Sequence, residues 1–193
     1  MSGSSVSDVR TRLVFLVAML SGCTCGTEVA AAPAPLTGIV PTEADFIRYD
    51  AWPSFDRGAQ GFVPAHPDGV TTVFVNHLPP HGATTFPIGT IIVRQTEIGP
   101  RETWEVHAMV RRGGEFNPLG ALGWEYFDLR LPPADIEGEA LAPTVLWRGE
   151  GPATQGDGYA TAAGGVLLGC NHCHGAVPEN DSVIGLELQL DTF

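Results

Sequence analysis

Near its C-terminus the chain reads Gly169-Cys-Asn-His-Cys-His-Gly175, with two thiols and two imidazoles between Cys170 and His174. Thiolates and imidazoles bind soft and borderline metals, and two cysteines this close can also form a disulfide or a redox dithiol. The order Cys170-x-x-Cys173-His174 matches a further chemistry, the attachment of a c-type haem. Two cysteines on one helical turn reach the two porphyrin vinyl groups as thioethers. The next residue, His174, then offers its imidazole to the iron as proximal ligand, and must be neutral to do so. One haem c per chain is expected on this reading. A structural zinc needs four ligands, usually in two separated pairs, and the other cysteines, Cys23 and Cys25, lie in the N-terminal leader. A thioredoxin-like dithiol wants a strand–helix setting that the flanking sequence lacks. A Cys170–Cys173 disulfide is the plain alternative, and it leaves His174 without a role.

The compartment follows from the N-terminus. Arg10 and Arg12 precede an apolar stretch, Leu13 to Leu20, that is too short to cross a hydrocarbon core of ~30 Å as a helix. This is the pattern of a secretory signal. Leu20-Ser-Gly-Cys23 resembles the lipobox of bacterial lipoproteins, in which the cysteine is lipidated and becomes the mature N-terminus. Ordinary cleavage near Ala30-Ala-Ala-Pro33 is the alternative. The expected organisation is a signal peptide over 1–22, a flexible Ala/Pro-rich linker over 23–43, and one haem-binding domain over 44–193. The location is then periplasmic or cell-envelope, with a lipid anchor at Cys23. A formal net charge of −12 repels phosphate backbones and argues against nucleic acid as a partner.

The elements that must position the motif read as mainly β, an α+β chain with an antiparallel sheet and a few short helices. Thr42 and Asp45 form a capping-box pattern ahead of a short helix carrying Phe46, Tyr49 and Trp52 and stopped by Pro53. The segment from there to Gly69 reads as loop. Strands are expected at Val70–Asn76, Ile88–Ile98, Thr103–Arg112 and Gly123–Leu131. In the third, Trp104, Val106, Ala108 and Val110 share one face, and Glu105, His107, Met109 and Arg111 the other. In the fourth, Phe127, Leu129 and Leu131 oppose Trp124, Tyr126, Asp128 and Arg130. No helical pattern of crossover length separates them, which favours antiparallel neighbours. The stretch Pro132 to Gly165 reads as irregular.

His66, His77, His81, His107 and Met109 are the candidates for a sixth iron ligand, with His107 and Met109 favoured because they share a strand face. His172 is too close to the attachment turn to reach the far side of a porphyrin. Phe74, Phe86 and Phe127 are candidates to cap the pocket or simply to pack the core. Glu125 is a candidate proton relay or an edge residue.

The stretches FPIGTIIV (Phe86–Val93), HAMVRRGGEFNP (His107–Pro118), GWEYF (Gly123–Phe127) and CNHCH, with FIRYDAWPSF and VFVN ahead of them, resemble the cytochrome P460 / cytochrome c′-beta family. The likeness covers most of the chain from about residue 44. It implies a mostly antiparallel β fold, usually a homodimer, with one haem c, a histidine on one face and an open distal face. Members of the family oxidise hydroxylamine or bind nitric oxide and other small gases. Cytochrome P460 proper carries a lysine linked to the porphyrin, and this chain has no lysine. Arg94 and Arg111 are the basic residues of the matching strands, and a guanidinium stays protonated and is a poor nucleophile. Hydroxylamine oxidation is therefore not carried over, though Glu125 and Arg111 stand as the candidate catalytic residues if there is turnover. Three functions follow as expectations: a binder of a small gaseous or nitrogenous ligand, an oxidoreductase acting on such a compound, or an electron-transfer cytochrome with a six-coordinate haem and a redox partner yet to be identified.

Overall fold

The computed structural model of the chain describes residues 38–60, 66–133, 141–149 and 169–193. The expected signal peptide, the anchor Cys23 and the linker as far as residue 37 lie outside the described residues. No described helix is long and apolar enough to cross a membrane.

The described chain is a six-stranded antiparallel meander: β1 (Ser54–Gln60), β2 (Gly69–Val75), β3 (Ile91–Glu97), β4 (Glu105–Arg111), β5 (Trp124–Arg130) and β6 (Thr144–Gly149), each paired with the next. One α-helical turn, α1 (Cys170–His174), and several 3-10 turns complete it. The mainly β, antiparallel expectation holds, and four strands fall where periodicity placed them.

Two strands were not legible. β1 lies in the stretch that reads as loop. Its sequence SFDRGAQ is broken by a bulge between Asp56 and Gly58, where Gly58 has φ +64° and donates its N–H to Asp56 Oδ1 at 2.7 Å. Charges, a glycine and a bulge are edge-strand devices that erase the alternation a sequence reading relies on. β6, in the stretch expected to be irregular, is the opposite edge and alternates only between exposed and half-buried.

The central strands are covered on both faces. On one face Phe46 and Tyr49, from 3-10 turns at Glu43–Phe46 and Tyr49–Ala51, pack on Phe74, Val93, Val106, Ala108, Phe127 and Leu129. The expected capping contact is present, with the Thr42 N–H donating to Asp45 Oδ2 at 2.7 Å. The helix it starts is a single 3-10 turn. Arg48, at φ 57°, breaks it before a second turn begins. Tyr49 buries its hydroxyl by donating to Gln95 Oε1 at 2.6 Å. Full burial of a residue such as Phe127 or Val93 contributes about 1.5–3 kcal/mol, enough to set the sheet's register face by face.

The other face carries Val73, Val75, Ile92, Met109, Trp124 and Tyr126, and is covered by the C-terminal segment through Val183, Leu188 and Leu190. That segment brings α1 to the sheet.

Candidate functional site

The register of the meander lines up two rows of side chains on this second face. Val73 pairs with Arg94, Arg94 with His107, and His107 with Asp128. In the next row Val75 pairs with Ile92, Ile92 with Met109, and Met109 with Tyr126. From these rows Val73, Arg94, His107, Ile92, Met109 and Tyr126 form one wall of a cavity of about 220 Å³. The opposing wall is Cys170, Cys173 and His174 from α1, with Val183, Ile184 and Leu188 beyond. Arg57 of β1 and His66 complete the rim. The three motif residues therefore face one space, together with His107 and Met109.

The turn that bears the cysteines is held by asparagines. Asn171, buried between the two cysteines, exchanges two hydrogen bonds of 2.8 Å each with Asn117 in the β4–β5 connection and accepts one from the Ala121 N–H at 3.1 Å. Asn117 sits at φ 53° and also donates to the Trp124 carbonyl. The approach is close enough that a Cβ on Gly120 would lie 2.0 Å from Asn171 Cγ.

His174 is oriented from behind. Its Nδ1–H donates to the Ser182 carbonyl at 2.8 Å, which leaves Nε2 with the lone pair. Burial lowers its pKa to about 4, partly opposed by the Ser182 bond, so the ring is neutral at physiological pH. The Tyr126 ring lies 5.4 Å from it. The Tyr126 hydroxyl is buried, has no hydrogen-bond partner among the described residues, and its pKa is raised by burial. Cys170 and Cys173 are both half-buried and are not joined in a disulfide. A neutral imidazole with its coordinating nitrogen available, two thiols beside it and a buried hydroxyl in want of a partner fit a covalently held haem at this cavity.

The sequence candidates separate cleanly. His66, His107 and Met109 line the cavity. His77 is instead 3.3 Å from Thr90 Oγ1, and His81 bonds the Phe193 carbonyl. Burial first, then the nearby His66, Arg94 and His174, hold the His107 pKa well below its usual value. Phe86, expected as a pocket residue, packs edge-on against Trp124 with centroids 5.8 Å apart and is not part of the cavity wall. Phe74 and Phe127 are in the core on the other side of the sheet.

Glu125 shares the face of Phe127, away from the motif. It is 3% exposed and bridges two cations, Arg148 at 2.7 Å and Arg112 at 3.1 Å. Arg111 is on the motif's face of β4 but outside the cavity wall, where it pairs with Asp181 at 3.1 Å and lies over the Trp124 ring. Both candidate catalytic residues are thus held in ion pairs.

Tyr126, Glu105 and Ser182 were not singled out in the sequence. Glu105 was the accessible one, since it precedes His107 by two residues on the same strand face. Ser182 acts through its backbone, which no side-chain pattern reveals. No family model, no curated protein and no solved structure matches the chain.

Proposed function

We propose that the chain is an exported, lipid-anchored c-type haem protein of the cytochrome P460 / cytochrome c′-beta kind that binds a small ligand such as nitric oxide. The observation that carries this reading is the convergence of Cys170, Cys173 and a back-bonded His174 on one cavity. Cys170 and Cys173 would hold the porphyrin as thioethers, and His174 Nε2 would coordinate the iron. A haem iron with one protein ligand supplies an open coordination site for a diatomic gas. The chain's own part is to hold the His174 ring neutral and fixed, to shield the site with Val73, Ile92 and Leu188, and to present His107, Arg94 and Met109 as the polar and soft groups along the sheet wall. Export and anchoring through Cys23 agree with this chemistry, because haem c is attached outside the bacterial cytoplasm.

The test is production with a haem c maturation system followed by acid–acetone extraction. Haem that stays with the protein, with one thioether remaining in Cys173→Ala, is the expected result. Haem that extracts fully from the wild type refutes the reading. The position of Met109 in the cavity wall favours one second reading, an electron-transfer haem with methionine as sixth ligand. A sharp low-spin ferrous spectrum that is lost in Met109→Ala would select it, and a five-coordinate ferrous spectrum that responds to nitric oxide selects the first.

A further inference from the structure

At the rim of the cavity, Glu105 Oε1 lies 2.9 Å from His66 Nδ1 and 3.3 Å from His107 Nδ1. His66, Glu105 and His107 each offer one ligand atom, and these atoms all lie within 4.8 Å of one another. In a complex with metal–ligand bonds of about 2.0–2.2 Å, neighbouring ligand atoms stand about 3.0–3.5 Å apart. The Glu105–His107 separation falls within that range and the Glu105–His66 separation just short of it, so a small side-chain shift without rearrangement of the sheet completes the edge.

The fold supplies the support that such a site needs. Glu105 and His107 are fixed two residues apart on one face of β4, and His107 is flanked in register by Arg94 and Asp128. His107 Nε2 is 3.9 Å from Asp128 Oδ1, a carboxylate placed to favour the proton on Nε2 once Nδ1 is bound to an ion. His66 enters from the chain ahead of β2, its ring 5.3 Å from that of His107. Arg94 Nη1, 3.2 Å from the same Glu105 oxygen, neutralises the carboxylate in the absence of an ion. Arg94 is also 3.4 Å from Thr71 Oγ1, which keeps a partner for it when a cation takes the oxygen.

We propose that His66, Glu105 and His107 bind a divalent first-row transition-metal ion at the rim of the cavity. Two imidazoles and one carboxylate form the donor set of zinc and non-haem iron sites, and three protein ligands leave coordination positions for water or a small ligand. The site is formed by residues other than the cysteine turn and does not rest on the haem reading.

Zn²⁺ is the probe. The full-length protein is stripped with chelator and titrated calorimetrically, with haem content measured on the same samples. One Zn²⁺ per chain is expected. His66→Ala and Glu105→Gln should each weaken it at least tenfold, while His77→Ala, outside the cluster, leaves it unchanged. X-ray absorption should give Zn–N/O distances of about 2.0–2.1 Å with no sulfur ligand. Absence of zinc binding by the wild type, equal binding by wild type and His66→Ala, or sulfur at the zinc each overturns the proposal. His66 is partly exposed, so its variant decides the question if His107→Ala fails to fold. Haem content unchanged in His66→Ala separates failure of this site from failure of the haem attachment.

Discussion

Replacing Asn171 by alanine removes the contact that ties the cysteine turn to the sheet. The Asn171 side chain makes two 2.8 Å bonds with Asn117 and accepts a third, at 3.1 Å, from the Ala121 N–H. At about 1 kcal/mol net for each bond, the direct loss is about 3 kcal/mol. The variant also leaves Asn117 Oδ1 and the Ala121 N–H without these partners in a buried position, which adds to the cost unless water enters. For a domain of this size, about 3 kcal/mol lowers the melting temperature by about 6–12 °C. Thermal unfolding followed by circular dichroism measures this. Gly120→Ala should act at the same place, because its new Cβ would fall 2.0 Å from Asn171 Cγ. The Asn117→Ala/Asn171→Ala double mutant should be less destabilised than the sum of the singles, by about 1–2 kcal/mol, since both remove the same pair of bonds. A melting temperature for Asn171→Ala within about 2 °C of wild type, or strict additivity in the cycle, would refute the assignment of this amide pair as the anchor.

Glu125→Gln should destabilise the protein by about 1–3 kcal/mol in denaturant titrations, because it weakens a carboxylate that bridges Arg112 and Arg148, the latter partly exposed. Ligand affinity at the cavity should stay unchanged; a selective loss of activity with full stability would return Glu125 to a catalytic role. Acidification should weaken haem-free protein carrying Cys170→Ser and Cys173→Ser. His174 has a folded pKa of about 4 against about 6.5 unfolded, so the unfolded chain binds the extra proton first. Stability is then fully present above pH 6.5 and is lost as pH falls towards 4, by about 2 kcal/mol after allowing for partial exposure of the ring; His174→Phe should flatten that slope in urea titrations at stepped pH. The absence of lysine predicts an ordinary ferrous haem c spectrum without a red-shifted band, and a haem peptide spanning Cys170–His174 that carries no second peptide. A porphyrin joined to a peptide containing Arg94 or Arg111, found by mass spectrometry, would contradict it.

The central strands could be read from the sequence because burial writes itself into alternation. Val106, Ala108 and Val110 against His107 and Met109 is a pattern that only a strand with two distinct faces produces, and those faces are the ones observed. The edges could not be read, because β1 interrupts its alternation with Asp56, Arg57 and a bulge at Gly58, and β6 is never more than half buried. The motif was legible because its three residues are adjacent in sequence. The wall facing it was only partly so. His107 and Met109 were identified from strand phase, whereas the choice of His66 over His77 and His81 depends on how three connecting segments are routed. The role of Glu125 was not legible, for a physical reason. A carboxylate in the phase of Phe127 can be an active acid in a cleft or a paired ion in a core, and its partner Arg148 belongs to a strand that the sequence does not announce.

Arg111 joins these two kinds of residue. It has no place in the cavity wall, yet it reaches His174 through the backbone. Its guanidinium pairs with Asp181, which with Ser182 forms a consecutive left-handed pair at φ 49° and 66°. Two non-glycine residues in that region cost about 1–2 kcal/mol each, and the conformation persists because the surroundings hold it. The Asp181 carboxylate also accepts the Phe86 N–H at 2.9 Å, and its carbonyl accepts Trp124 Nε1 at 2.7 Å. The backbone held in this way is the one whose Ser182 carbonyl accepts the hydrogen bond from His174 Nδ1–H. Phe86, a candidate pocket residue in the sequence, and Arg111, a candidate catalytic one, thus act one step behind the cavity, where they fix the tautomer and direction of the imidazole. On this sheet a charged strand residue beside the cavity holds the backbone that aims His174 Nε2.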